Sequence, residues 1–308
     1  MVSLREYDRS HPRPSNAASS AKPALPVAYD SQHELLFVTR TKRYGAPMGE
    51  AAIVPVPGDA YVQSFARGLA VIRAFSAERP SMTLSEVAAA AGLTRAGARR
   101  ILLTLAQLGY VAADGRQFRL TARILDLGFA YLSSLPFWDL AEPVMEALVD
   151  QVHESCSASV LDGTDIVYVL RVPTHKIMTI SLGPGSRLPA YCTSMGRVLL
   201  SGLDDSEVDA VLRRSRIAAR TSRTTTDRAE LRRAIQEVRT RGWALVNQEL
   251  EEGLVSISAP IRDHSGRILA AMNVSGQVNR TPPQTMVKKF LPLLRTAADR
   301  ITHLIRRR

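Results

Sequence analysis

Arg95 and Arg99 stand one helical turn apart with Arg100 beside them, and a row of guanidinium forks of this kind suits a polyanion. Each fork can bond guanine O6 and N7 together or hold phosphate oxygens. A second group of residues suits a small anion. Thr193 precedes Ser194, Met195 and Gly196, and a threonine cap at that point leaves the first amide N–H groups of a helix facing a common point at its positive end, where a carboxylate binds. Neither group has the make-up of a catalytic centre. Ser194 lacks a Gly-x-Ser-x-Gly elbow that would set it against His153 or His175, and Gly183-Pro184-Gly185-Ser186 lacks the lysine and the strand-to-helix context of a phosphate loop. No catalytic residue is assigned, and the chain reads as a binding protein, not an enzyme.

The arginine row needs a rigid mount, and the surrounding residues supply one. Thr83-Leu84-Ser85-Glu86 is a capping box, so a helix begins at Leu84. Gly92 ends it, and Thr94 caps a second helix from Arg95 to Leu108 almost at once, which is helix-turn-helix spacing. On that second helix Ala98, Ile101, Leu102, Leu105 and Leu108 recur at helical spacing as the buried face. Asp114-Gly115 then divides two short strand-like runs as a hairpin, with Arg116 at its tip and Arg119 along its second strand. Thr83, Thr94, Arg95, Arg99, Arg100 and Arg116 are therefore the candidate DNA-binding residues. A preceding helix carrying Phe65, Leu69, Ile72 and Phe75 would complete a three-helix core.

Charge is distributed accordingly. The 308 residues carry a net charge of +11, and residues 61–122 hold 8 basic against 3 acidic side chains, the largest excess per residue. The basic bias lies where double-stranded DNA would be met. The N-terminus lacks the apolar run of a signal peptide and no stretch has the length of a membrane span, so a cytoplasmic protein is expected, with no membrane partner. Cys156 and Cys192 form no close pair and the 6 histidines show no metal-ligand spacing, so neither a metal nor a cofactor is called for.

Four segments follow from composition and period. Residues 1–58, rich in scattered proline, read as a disordered tail with at most a short strand or docking segment at Leu35–Val38. Residues 59–121 form the winged helix-turn-helix, and 122–136 a connecting helix too apolar to be a solvated linker. It packs either against a second subunit or within its own chain. Residues 137–308 mix helices with antiparallel strand runs at Ser157–Leu161, Ile166–Val172, Ile177–Leu182, Trp243–Val246, Leu254–Ile261 and Ile268–Val274, an α+β domain. Helices fit Leu140–Val152, Ser194–Ser201, Ser206–Arg214, Arg228–Arg241 and Gln284–Arg306, the last bent or interrupted at Pro292.

From about Tyr61 onward the chain resembles the IclR family of bacterial transcription regulators, and in particular the subgroup controlling aromatic-acid catabolism through protocatechuate and β-ketoadipate. Phe65–Ile72, Gly128–Ser134, Gly185–Leu200 and Asn247–Leu254 carry the likeness, over about four fifths of the chain. The resemblance implies a winged helix-turn-helix, a linker helix and a GAF-like effector-binding domain, assembled as dimers or tetramers on operator DNA. It also implies a small carboxylate effector, of the kind of β-ketoadipate, protocatechuate or 4-hydroxybenzoate, held by Thr193, Ser194, Met195, Gly196, Glu249, Ser256, Asn273 and Ser275. Alternation puts Asn273 and Ser275 on one sheet face, and Glu249 would shape the pocket edge or hold a polar network. Arg187, Tyr191 and Arg171 are further candidates for a second carboxylate or a ring, with an interface or loop role as the alternative for Arg187, while Cys192 reads as a small buried apolar residue. The chain departs from some relatives in having Val246-Asn247 where paired aspartates occur and Ser256 where a cysteine occurs. An unrelated small-acid pathway is the alternative.

Overall fold

The structure, a computed structural model, describes residues 61–135, 137–174 and 182–307. The expected tail, the segment Leu35–Val38, His175 and all but the last residue of the strand expected over Ile177–Leu182 lie outside the described residues. Among the described residues no helix is long and apolar enough to cross a membrane.

The N-terminal head is built on α1 (Gln63–Arg73), α2 (Leu84–Ala90) and α3 (Arg95–Gln107) with a three-stranded sheet. Val71, Ala74 and Phe75 meet Met82, Val87, Leu102, Leu105 and Val111 in one core. Phe65 is not part of it and stands 69% exposed, because six residues before Val71 is about 120° round the helix. Leu108, expected on the buried face of α3, is exposed as well: it is the residue at which helical dihedrals end, and Gly109 (φ +81°) turns the chain away. The hairpin of β2 (Val111–Asp114) and β3 (Gln117–Leu120) forms as expected. A third strand, β1 (Ser81–Thr83), adds to it, with Met82 opposite Phe118 and Thr83 opposite Gln117. Thr83 thus ends a strand and caps α2 at once, tying the hairpin to the helices.

After α4 (Ile124–Leu132) comes the C-terminal domain, whose six-stranded antiparallel sheet runs β6-β5-β4-β9-β8-β7. These are β4 (Ser155–Asp162), β5 (Asp165–Val172), β6 (Arg187–Pro189), β7 (Ala244–Asn247), β8 (Leu254–Arg262) and β9 (Ile268–Gln277). One face packs on α5 (Trp138–Val152) and the terminal α10 (Leu291–Arg306) through Ala158, Ile257, Met272 and their neighbours. The other faces α6 (Ser194–Ser201), beyond which lie α7 (Asp205–Arg214) and α8 (Arg228–Arg241). The long terminal helix is indeed interrupted near Pro292. A single turn, α9 (Pro283–Thr285), is followed by a π-wound stretch over Met286–Phe290, and Pro292 sits in the first turn of α10, where its missing N–H is not needed.

α6 is buried along its whole length and pinned at its start. A Cβ on Gly196 would lie 2.1 Å from the Ala190 carbonyl oxygen, so only glycine lets the helix press on the preceding turn. One turn on, the Arg197 guanidinium pairs with Glu249 at 2.7 Å, both side chains being about nine-tenths buried, and donates to the Tyr191 carbonyl at 3.2 Å. Glu249 also accepts from the Thr225 amide at 3.1 Å. Glu249, expected to shape the pocket edge or to hold a polar network, is the counter-charge that locks α6 to the loop before β8, because a buried guanidinium demands one.

Two outcomes follow for urea unfolding. Glu249→Gln leaves Arg197 buried and unpaired and costs about 3–5 kcal/mol, whereas the double change Arg197→Met with Glu249→Leu recovers most of that loss. Gly196→Ala costs about 3 kcal/mol by overpacking against fixed backbone.

Candidate DNA-binding and effector sites

The DNA-facing candidates come together on one mount. Gly92 (φ +63°) closes α2, with the Leu93 amide donating to Ala88 O at 2.8 Å, and Thr94 caps α3 by accepting from the Gly97 amide at 3.1 Å. Arg95, Arg99 and Arg100 are all exposed, and none joins an ion pair among the described residues. The first turn of α3 carries no acidic side chain, so its positive end is not neutralised. Arg116 occupies the two-residue turn between Asp114 and Gln117, and Arg119 projects from β3. Thr83 and Thr94 play a different part from the arginines. The Thr83 hydroxyl donates to the Glu86 carboxylate at 2.8 Å and accepts from the Glu86 amide, so both threonines hold helix ends in place.

The second site is a layer of hydroxyls on the α6 side of the large sheet. Strand pairing sets Ser155, Ser275 and Ser256 in one cross-strand row, and Arg171, Ser157, Asn273 and Ser258 in the next. The Ser194 hydroxyl, at the start of α6, shares a 2.8 Å hydrogen bond with Ser256. Asn273 donates to Ser256 at 2.9 Å and accepts from the Ser157 amide at 3.1 Å, and Arg171 donates to the Ser157 hydroxyl at 3.3 Å. Ser194, Ser256, Asn273 and Ser275 are thus brought together as expected. Ser155, Ser157, Ser159 and Ser258 were missed, although the alternation Ser155-x-Ser157-x-Ser159 and Ser256-x-Ser258 carries a period of two.

The helix end offers fewer donors than its sequence implies. Thr193 does cap it, but the hydroxyl takes the Gly196 amide at 3.2 Å, leaving the Ser194 and Met195 amides without an acceptor among the described residues. Gly196 serves packing, not ligand approach. Two other candidates are occupied elsewhere. Arg187 bridges Asp162 (2.7 Å) and Asp165 (3.3 Å) at the β4–β5 turn, where two carboxylates draw its side chain outward. The Tyr191 hydroxyl donates to Ala218 O at 2.8 Å and accepts from the Ala218 amide at 3.2 Å. Burial pushes the Cys192 thiol up to about 11, which keeps it neutral and unreactive. Ser194 Oγ meets Ser256, not a histidine.

Comparison with known proteins agrees with both halves. The IclR helix-turn-helix domain matches residues 64–115, and the bacterial transcriptional regulator IclR C-terminal domain matches residues 129–303. The Pca regulon regulatory protein of Pseudomonas putida is 44% identical over 244 residues, 79% of this chain and 84% of that protein. A solved structure of a Rhodococcus sp. RHA1 protein shares 53% identity and superposes with a TM-score of 0.73, covering 80% of this chain and 98% of that one. The inducer-binding domain of the Acinetobacter PobR transcription factor, solved as a double mutant with 3-hydroxybenzoic acid, is 32% identical at a TM-score of 0.51, covering 53% of this chain and 96% of that one. A winged helix-turn-helix with an unneutralised arginine face is followed by a sheet whose buried polar floor meets a capped helix end, and both halves match the family's domains: the chain belongs to the IclR family of bacterial transcriptional regulators.

Proposed function

We propose that this regulator controls an aromatic-acid catabolic operon of the protocatechuate and β-ketoadipate type, binding operator DNA as a dimer or tetramer in the cytoplasm and sensing a small carboxylate. The observation that carries the sensing role is the pair of unspent amides at Ser194 and Met195 directly above the hydroxyl layer of Ser256, Asn273 and Ser275. A carboxylate accepts from the amides at the positive helix end, and the hydroxyls and amide below it bond the remaining oxygens. The likeness to the Pca regulon regulator and to a PobR domain solved with a hydroxybenzoic acid supports an aromatic or ring-derived acid such as protocatechuate, 4-hydroxybenzoate or β-ketoadipate.

In this reading residues 59–121 are the DNA-binding head, 122–136 the linker and 137–308 the sensor. Arg95, Arg99 and Arg100 enter the major groove while Arg116 holds the flanking backbone as a wing. Leu125, Leu127, Phe129 and Tyr131 on α4 are each at least half exposed and no residue of α4 is buried, which supports packing against a second subunit over packing within the chain. Effector binding then shifts the population between dimer geometries whose heads match or mismatch the operator half-sites.

Arg99→Ala weakens operator binding by about 1–3 kcal/mol and leaves effector binding intact; equal losses in gel shift and calorimetry contradict this division of labour. Ser194→Pro keeps the helix start, since proline is tolerated there, but removes one amide donor and the hydroxyl link to Ser256. Calorimetry with the three acids should show affinity reduced about tenfold or more, and unchanged affinity for all three rules out the helix-end site.

A further inference from the structure

Among the described residues, Arg171 is the one arginine that hydrogen-bonds into the hydroxyl layer on the polar face of the sheet. Simple alternation along β5 would set it on the opposite face, with Val167 and Val169. A β-bulge between Ala158 and Ser159 of the partner strand changes the phase: Tyr168 pairs with Ser159, but Arg171, three residues on, pairs with Ser157. Bulges of this kind re-aim a side chain beside a site. The consequence is a partly buried guanidinium whose single hydrogen bond is to the neutral Ser157 hydroxyl, with no carboxylate at ion-pair distance among the described residues. The other arginines of this domain that are not exposed have acceptors of their own among the described residues: Arg197 has Glu249, Arg232 has Asp205 and Asp209, and Arg262 has the Gly266 carbonyl.

The position of this charge relative to the helix end is set by the strand order. Ser194 lies over Ser256 on β8, and the Arg171 guanidinium reaches Ser157 on β4, with β9 between them. Two strand spacings across the sheet and one two-residue step along it separate the two anchor points, about 12 Å. Ser256, Asn273 and Ser157 form an unbroken hydrogen-bonded chain across that span. A monocarboxylate at the helix end leaves the guanidinium without a counter-charge, whereas an acid carrying a second carboxylate at its far end satisfies both.

We propose that Arg171 is a specificity-determining residue that makes this site select an acid with two carboxylates, one on the Ser194 and Met195 amides and the other on its guanidinium fork. The proposal rests on the helix-end carboxylate site described under the proposed function.

Calorimetry with the full-length protein and two matched pairs of acids tests it: adipate against hexanoate, and terephthalate against benzoate. In the wild type the diacid of at least one pair binds about tenfold or more tightly than its monoacid. Arg171→Gln abolishes that preference, bringing diacid and monoacid affinities to within about twofold of each other, while its urea-unfolding midpoint stays at the wild-type value, which shows that the variant folds. Arg171→Lys, which keeps the charge but loses the fork, retains an intermediate preference. Diacid binding that is unaffected by Arg171→Gln overturns the role of Arg171 and leaves the helix-end site standing. Loss of mono- and diacid binding together in both variants makes Arg171 structural and likewise overturns it. Binding of none of the four acids by the wild type overturns the helix-end site and this inference with it.

Discussion

The contact of Gly196 with the backbone of Ala190 decides where α6 starts, and most of the sensor domain depends on that point. A helix end is useful to an anion only if its free amides face a chosen spot. Here hard-sphere contact fixes the translation of the helix and the Thr193 cap fixes its first turn. The buried Arg197–Glu249 pair ties the helix to the loop that leads into β8. Such a pair gains little net stability after desolvation, but it strongly penalises any arrangement in which one partner is left alone. Its role is to hold one geometry, so that Ser194 and Met195 point at the sheet and not along it.

The sheet beneath is two-faced in an unusual sense, because both faces are buried. The face toward α5 and α10 is apolar and supplies ordinary burial energy. The face toward α6 has serine and asparagine in two cross-strand rows, which cost desolvation unless hydrogen-bonded. Some of these groups are satisfied within the sheet, as Ser258 is by the Met272 carbonyl at 2.8 Å, while Ser194, Ser256, Asn273 and Ser157 satisfy one another in a chain. In a layer of this kind each hydroxyl can exchange one hydrogen-bond partner for another. The head has the opposite character: Arg95, Arg99 and Arg100 face solvent with no ion-pair partner among the described residues, and the charge of α3 is available to a polyanion.

The DNA-binding half was largely legible in the chain because its signals are local. A capping box, a glycine turn, a second cap and an Asp-Gly hairpin all lie between Thr83 and Gly115, and each acts through neighbours in sequence. What escaped was β1, three residues long, whose pairing partner β3 is some 36 residues away in the chain. Phe65 and Leu108 failed for a related reason: apolar character alone does not say at which residue the helix stops or which face it turns inward.

In the sensor half the elements themselves were readable, and Ser194–Ser201 and Arg228–Arg241 match their sequence bounds because cap and period mark both ends. The partners of charged side chains were not. Glu249, Arg187 and Tyr191 each carry groups suited to a ligand, and each is used by the fold instead, since burial near an opposite charge or a carbonyl is set by distant segments. Arg171 is the converse case, brought to the polar face by a bulge that no residue type in β5 announces. Sequence by itself determined the helices, their caps, the basic face and the family, all of which follow from short-range spacing. Only the tertiary structure decided which polar groups are spent and which are left over, because hydrogen-bond satisfaction is a property of the whole packed arrangement and not of any segment.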